Sequence, residues 1–235
     1  MSADFVSEIR RVAVLGTPVL LSDTCFLLDI VRDPTRDIIR PEDRVAAAAL
    51  AECISRADKL TGFVAEQVHT ELTEHRTAVE EEAAKAIHVL SAKLKRMDQI
   101  LAAYGGSGIS IVDHLKEHGD RAHDILDRWL AASKTATQAP DIAGRAITRM
   151  NQGHTPARKG NASAKDCVII ETYLDLARRL REDGHITPIV FASSNTKDYC
   201  DIPGAHLKAD LAAEFAGLKM EFAPNFGAAK HILGL

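Results

Sequence analysis

The chain has 235 residues, with 29 basic against 33 acidic side chains and a formal net charge of −4. Apolar residues make up 46% and charged residues 26%, the balance of a folded globular domain and not of a basic nucleic-acid coat. No apolar run approaches the roughly 18 residues a membrane span needs, and Met1–Leu15 lacks a secretory core, so a cytoplasmic protein is expected.

Pro18–Ser22 is a short apolar run that ends at Asp23 and reads as a buried strand. Pro41 opens a helix to about Ala57, with Glu42 and Asp43 in its first turn, where the helix dipole favours acids. Lys59–Val64 reads as a second strand. From Val64 through Val68, Leu72, Val79, Ala83 and Leu90 to Leu101, apolar residues recur at helical steps, so a helical pattern runs to about Tyr104. About forty residues of helix would reach roughly 60 Å, long for this chain, so a break is expected near Glu74–Thr77. Gly105, Gly106 and Gly108 end that element, and Val112–Ser133 is a third helical region. The two regions read as a helical hairpin over 76–135, inserted within a single domain of 1–235. Ala139–Ser163 is looser, with Pro140, Gly144, Gly153, Pro156 and Gly160. Asp166–Asp183 is a buried helix, Ile186–Ser193 the strongest strand, Ala205–Ala216 a short helix and Leu218–Ala223 a last strand.

Strands alternating with helices imply an α/β fold with a mostly parallel sheet covered on both faces. In such sheets ligands bind beyond the carboxyl ends of the strands. Asp23 ends the first strand. Asp198 follows the strongest strand in SSNTKDYCD (Ser193–Asp201), Asp166 opens the helix before it, and Glu71 lies two turns into the long helix. Singly, each has a plain alternative. Asp23 can close a turn, Asp166 can complete a capping box with Ser163, Glu71 can be solvated, and Asp198 can be turn chemistry. Together they are four carboxylates from four segments at one sheet edge. Carboxylate oxygens suit hard cations such as Mg²⁺ and Mn²⁺. Without a cation the acids would repel one another, and at least one would have a raised pKa.

LLSDTCFLLD (Leu20–Asp29), VAEQVHTEL (Val64–Leu72), KDCVIIETYLDLA (Lys165–Ala177) and SSNTKDY (Ser193–Tyr199) together resemble the PIN-domain ribonucleases. The resemblance spans about 130 residues. It implies a three-layer α/β/α fold and a nuclease using Mg²⁺ or Mn²⁺ on single-stranded RNA. It makes Asp23, Asp166 and Asp198 the metal ligands with Glu71 assisting, and it implies an antitoxin protein as a partner. Glu66 rivals Glu71, and Asp201 rivals or assists Asp198. Cys25 stands where many members have Asn, and Ser194 where many have Arg, which bears on substrate contacts. Thr24 and Asn195, beside the acids, are further candidates for substrate binding. The stretch His75–Ser133 is longer than in compact members.

Arg145, Arg149, Arg158, Lys159 and Lys165 lie in a segment without an acid that runs directly into Asp166, and these five are expected to meet phosphates. The alternative is a solvated loop. His114, His118 and His123 have a metal-like spacing, but their charged neighbours make an exposed face the better reading. Four scattered cysteines with no CxxC pair exclude a disulfide framework and a zinc knuckle. No serine-hydrolase elbow, P-loop or dinucleotide fingerprint is present. Two rivals to the nuclease remain. One is a catalytically silent nucleic-acid-binding module; the other is a helical interaction protein with incidental acids.

Overall fold

A computed structural model describes residues 3–157, 163–202 and 206–235. Its elements in chain order are α1 (Ala3–Leu15), β1 (Val19–Ser22), α2 (Thr24–Val31), α3 (Pro41–Arg56), β2 (Thr61–Ala65) and α4 (Glu66–Ala103). A single 3-10 turn at Asp113–Leu115 leads to α5 (His118–Ala132), β3 (Lys134–Ala136), α6 (Ile142–Gln152) and α7 (Ala164–Glu182). Then come β4 (Ile189–Ala192), α8 (Thr196–Tyr199), β5 (Cys200–Ile202), β6 (His206–Leu207), α9 (Ala209–Leu218), β7 (Met220–Ala223) and α10 (Phe226–Ile232).

Five strands form one parallel sheet in the order β3-β2-β1-β4-β7. Every residue of β1, β2 and β4 is buried, as strands covered on both faces must be. From β1 the chain winds to β2 and β3 on one side, then returns to β4 and β7 on the other. That reversal puts a topological switch point at the carboxyl ends of β1 and β4, where ligands bind in open parallel sheets. On one face α2, α3, α5 and α10 pack together, and on the other α7 packs with α1, α6 and α9. The first layer closes on Phe26, Trp129 and Phe226, with 4.1 Å between the two phenyl centroids. The second closes on Phe191, whose ring meets Tyr173, Tyr199 and Phe215. The expected three-layer α/β/α architecture is the one observed.

Four details differ from the sequence reading. First, α4 runs unbroken for 38 residues, roughly 57 Å. It holds no Gly or Pro, and at the expected break Arg76 donates to Glu80 at 2.8 Å and to Asp127 of α5 at 2.6 Å. Charge pairs between two helices carry it past the core. Second, the hairpin region over 76–135 carries part of the core and a strand of the sheet edge. Ala122, Leu126 and Trp129 of α5 are core residues, and β3 pairs with β2 as the sheet edge. Third, α6 forms inside the segment read as loose, because Ile142, Ala146 and Arg149 make one buried face. Fourth, α1 forms because Phe5, Ile9 and Val12 make a stripe that is buried, and the helix packs on α7. The expected helix start at Ala205 lies outside the described residues. No described helix is long and apolar enough to cross a membrane.

Candidate active site

β1 ends at Ser22, and the chain turns directly into α2 with Asp23 as its N-cap. Asp23 Oδ1 accepts the Thr24 amide at 2.8 Å. The turn-closing role is therefore real, but it occupies one oxygen only. Oδ2 accepts from the hydroxyl of Ser193, the first residue beyond β4, at 2.5 Å. The Asp23 amide also donates to Ala192 O at 3.0 Å. Asp23 thus bridges the two strands that flank the switch point, and only 2% of its surface is exposed.

From this residue two hydrogen-bond paths lead to two other acids. Thr24 Oγ1 donates to Glu71 Oε2 of α4 at 2.5 Å. On the other side the Asn195 amide donates to Ser193 Oγ at 3.2 Å, and Asn195 Nδ2 donates to Asp198 Oδ2 at 2.5 Å. Asp166 arrives from α7, which runs antiparallel to the strands before feeding β4. Tyr173 of α7 donates its hydroxyl to Ser22 O at 2.6 Å and accepts the Ala65 amide at 3.0 Å. These two backbone groups mark the carboxyl ends of β1 and β2. Asp166 lies seven residues earlier, so it shares the face of Tyr173 and stands about 10 Å nearer the helix N-terminus, beyond the sheet edge.

The electrostatics agree. Burial pushes the Asp23 carboxyl up to about 7; the Ser193 hydrogen bond opposes this, while Asp166 and Glu71 add repulsion. The phenol of Tyr199 is buried and without a hydrogen-bond partner. Burial first, then the charges of Asp23, Asp166 and, more weakly, Asp198, hold it well above its ordinary value. One phenol therefore senses three of the four acids.

Among the described residues no three His, Cys, Asp or Glu side chains form a ready-made metal cage. The donor set nevertheless fits a hard cation. Its atoms are carboxylate oxygens from four elements, two of them fixed by hydroxyl donors, and their mutual repulsion is what a positive charge relieves.

The other expected site residues divide. Thr24 and Asn195, expected to touch substrate, hold Glu71 and Asp198 by hydrogen bonds. Glu66 is exposed and accepts from the Gln138 amide at 3.0 Å. Asp201 is exposed on β5. The Ser163 side chain makes no capping bond to α7. Lys165 is exposed beside Asp166 and donates to Glu74 at 2.5 Å. Arg145 and Arg149 correct the basic-segment reading. Arg149 is 3% exposed and donates to Glu171 at 2.6 Å, to Glu214 at 2.6 Å and 2.8 Å, and to Thr155 O at 2.6 Å. Arg145 pairs with Asp141, Glu171 and Asp175. Their guanidinium groups join α6 to α7 and α9. Arg158 and Lys159 lie outside the described residues. His123 belongs to the ion-pair network of Arg76, Glu80 and Asp127. Ser193, Tyr173 and Tyr199 were not foreseen as site residues. Tyr173 carries a signal, its spacing of two helical turns from Asp166; the hydroxyl of Ser193 carries none beyond its place at a strand end.

A family model described as PIN domain matches residues 21–199, more than half of the chain, and the chain belongs to that family. The matched span contains all four acids. Searches of curated proteins and of solved structures each give no match. A PIN domain is a nuclease-type fold, and PIN domains typically work with divalent metal ions.

Proposed function

We propose that this protein is a divalent-metal-dependent nuclease that hydrolyses phosphodiester bonds in single-stranded RNA. The carrying observation is the linked set of carboxylates at the switch point of a PIN-domain sheet: Asp23, Glu71 through Thr24, and Asp198 through Ser193 and Asn195. Asp23, Asp166 and Asp198 would hold Mg²⁺ or Mn²⁺. A cation held there would lower the pKa of a bound water and offset charge on the phosphate. Glu71, fixed by Thr24, would orient the attacking water. Ser193 and Asn195 hold Asp23 and Asp198 in place as charge builds. RNA as substrate rests on family membership, and an antitoxin-type partner covering the acids is part of the same proposal. The four free thiols are in keeping with a reducing, cytoplasmic setting.

The test uses the full chain with unstructured RNA and DNA oligonucleotides, in Mn²⁺ and in EDTA, beside thermal melts. Cleavage of RNA in Mn²⁺ only, lost in Asp166→Asn and in Asp198→Asn, with melting raised by Mn²⁺ in wild type alone, is the expected result. A wild type that cuts neither strand and melts identically with and without Mn²⁺ would leave a silent binding module in place of an enzyme.

A further inference from the structure

Beside the acids lies a second feature that the nuclease reading does not use. α2 ends at Val31 and α3 starts at Pro41, and Arg32, Arg36, Arg40 and Arg44 fall across this turn at four-residue steps. All four line one cavity of about 330 Å³, together with Asp29 and Asp43. Asp29 meets Arg32 Nε at 3.1 Å, and Asp43 Oδ1 already accepts the Gly227 amide at 3.0 Å. Four guanidinium groups against two carboxylates leave a surplus of two positive charges. Arg44 Nε is buried without a hydrogen-bond partner, and the group's terminal nitrogen reaches only Arg32 O, at 3.4 Å. Burial lowers the pKa of Arg44; Asp29 and Asp43 oppose this, and Arg32 and Arg36 add to it more weakly. Folding alone does not favour crowding like charges in a half-enclosed pocket; an anion placed there would reverse the penalty.

The pocket adjoins the acid site. Ser194 lines it, and the preceding Ser193 is the residue that donates to Asp23. A guanidinium matches two oxygens of a phosphate in one plane. A phosphate diester carries one negative charge, whereas a terminal phosphate carries about 1.5 to 2 near neutral pH, which is the surplus the pocket offers. Its size is near the lower end for ligand pockets, about 300 Å³, suited to the end of a strand and not to a strand running through.

We propose that the Arg32–Arg44 pocket binds a phosphomonoester: the terminal phosphate of the strand held at the neighbouring acids, or the same group on a free nucleotide. The strand as source rests on the nuclease reading; the phosphate group does not.

The test measures equilibrium binding of the full chain in EDTA by fluorescence anisotropy. The probes are one short single-stranded RNA with a 5′-phosphate, with a 3′-phosphate, or with hydroxyls at both ends; the competitors are a nucleoside monophosphate and inorganic phosphate. One phosphorylated form should bind at least about ten-fold more tightly than the hydroxyl form. Arg36→Gln with Arg40→Gln should abolish that ratio while melting does not fall, since among the described residues neither side chain makes a hydrogen bond or ion pair. Arg44→Lys, which keeps charge but loses the planar fork, should reduce it in part. Competition by the monophosphate as strong as that of the phosphorylated strand identifies the free nucleotide as the source, and weaker competition identifies the strand end. Equal wild-type affinity for all three strands, or a ratio that survives the double variant, overturns the proposal. So does a loss that is the same for all strands, which marks a general backbone contact. A protein that keeps the ratio but cuts nothing in Mn²⁺ refutes the nuclease reading and leaves the pocket standing. One that cuts but shows no ratio refutes the pocket alone.

Discussion

Asp23→Asn separates the two things Asp23 does: capping α2 and placing charge at the sheet edge. The amide keeps an oxygen for the Thr24 amide, so the cap survives. The Ser193 hydroxyl can turn from donor to acceptor toward the new nitrogen. What changes is charge. In the metal-free chain burial moves the carboxyl from 3.8 to about 7. At about 1.36 kcal/mol for each pKa unit, that is on the order of 4 kcal/mol against the ionised form. The folded pKa lies above the unfolded one, so the protonated acid's contribution is complete below 3.8 and is lost as pH rises to about 7. Asn carries no charge at either extreme. In EDTA near pH 8 the variant should therefore be more stable than wild type, by about 1–3 kcal/mol once the rearranged hydrogen bond takes back part of the gain. At roughly 2–4 °C per kcal/mol for a chain of this size, several degrees of melting temperature are at stake. In Mn²⁺ the order should reverse: wild type gains stability, the variant does not, and cleavage is lost. Melts in EDTA and Mn²⁺ near pH 6 and pH 8, beside the cleavage assay, read all of this. A variant less stable than wild type in EDTA, or one that still gains from Mn²⁺ as wild type does, refutes a shared acid site.

Arg149→Met should lower stability by about 3–5 kcal/mol, because it leaves Glu171 buried and facing no guanidinium from that position. The urea midpoint checks this, and an unchanged midpoint would return Arg149 to the surface role that the basic segment suggested. His185 has its pKa lowered from 6.5 to about 4 by burial and then by Arg181. The unfolded chain takes up that proton first, so the share of stability due to His185 should fall as pH drops from 6.5 to about 4, by up to roughly 3 kcal/mol. Denaturant titrations across that window should show the slope in Asp23→Asn and a flatter one in Asp23→Asn with His185→Gln; equal slopes would remove His185 as the cause. The salt-bridged Asp175 and the hydrogen-bonded Asp210, both held below 3.8, act at lower pH, whereas Asp23 titrates across this window with the opposite sign, so the comparison is made in the Asp23→Asn background.

The acids were legible in the sequence because of where each stands relative to an element boundary. Asp23 closes a strand, Asp166 opens a helix, and Asp198 follows a strand by a few residues. In a parallel sheet every strand ends on the same edge, so such residues share an edge whatever the strand order. The order β3-β2-β1-β4-β7 itself was not legible, since partners in a parallel ladder are chosen by packing between distant segments. Nor was the direction of Thr24 and Asn195. Both sit beside acids, and only the folded crevice decides that they turn to Glu71 and Asp198 and not outward. Charge read along the string fails for a different reason. Ile142, Ala146 and Arg149 fall at i, i+4 and i+7, one helical face, and that face is buried. Helical periodicity thus points Arg149 inward, while a count of basic residues points it at phosphate. Arg32, Arg36, Arg40 and Arg44 show the converse. They share no regular element, yet the turn between α2 and α3 closes them around one cavity. A carboxylate at a strand end is placed by topology, which a sequence carries in its alternation of elements. A guanidinium is placed by its partner, and the partners of Arg149 lie 22 and 65 residues away along the chain.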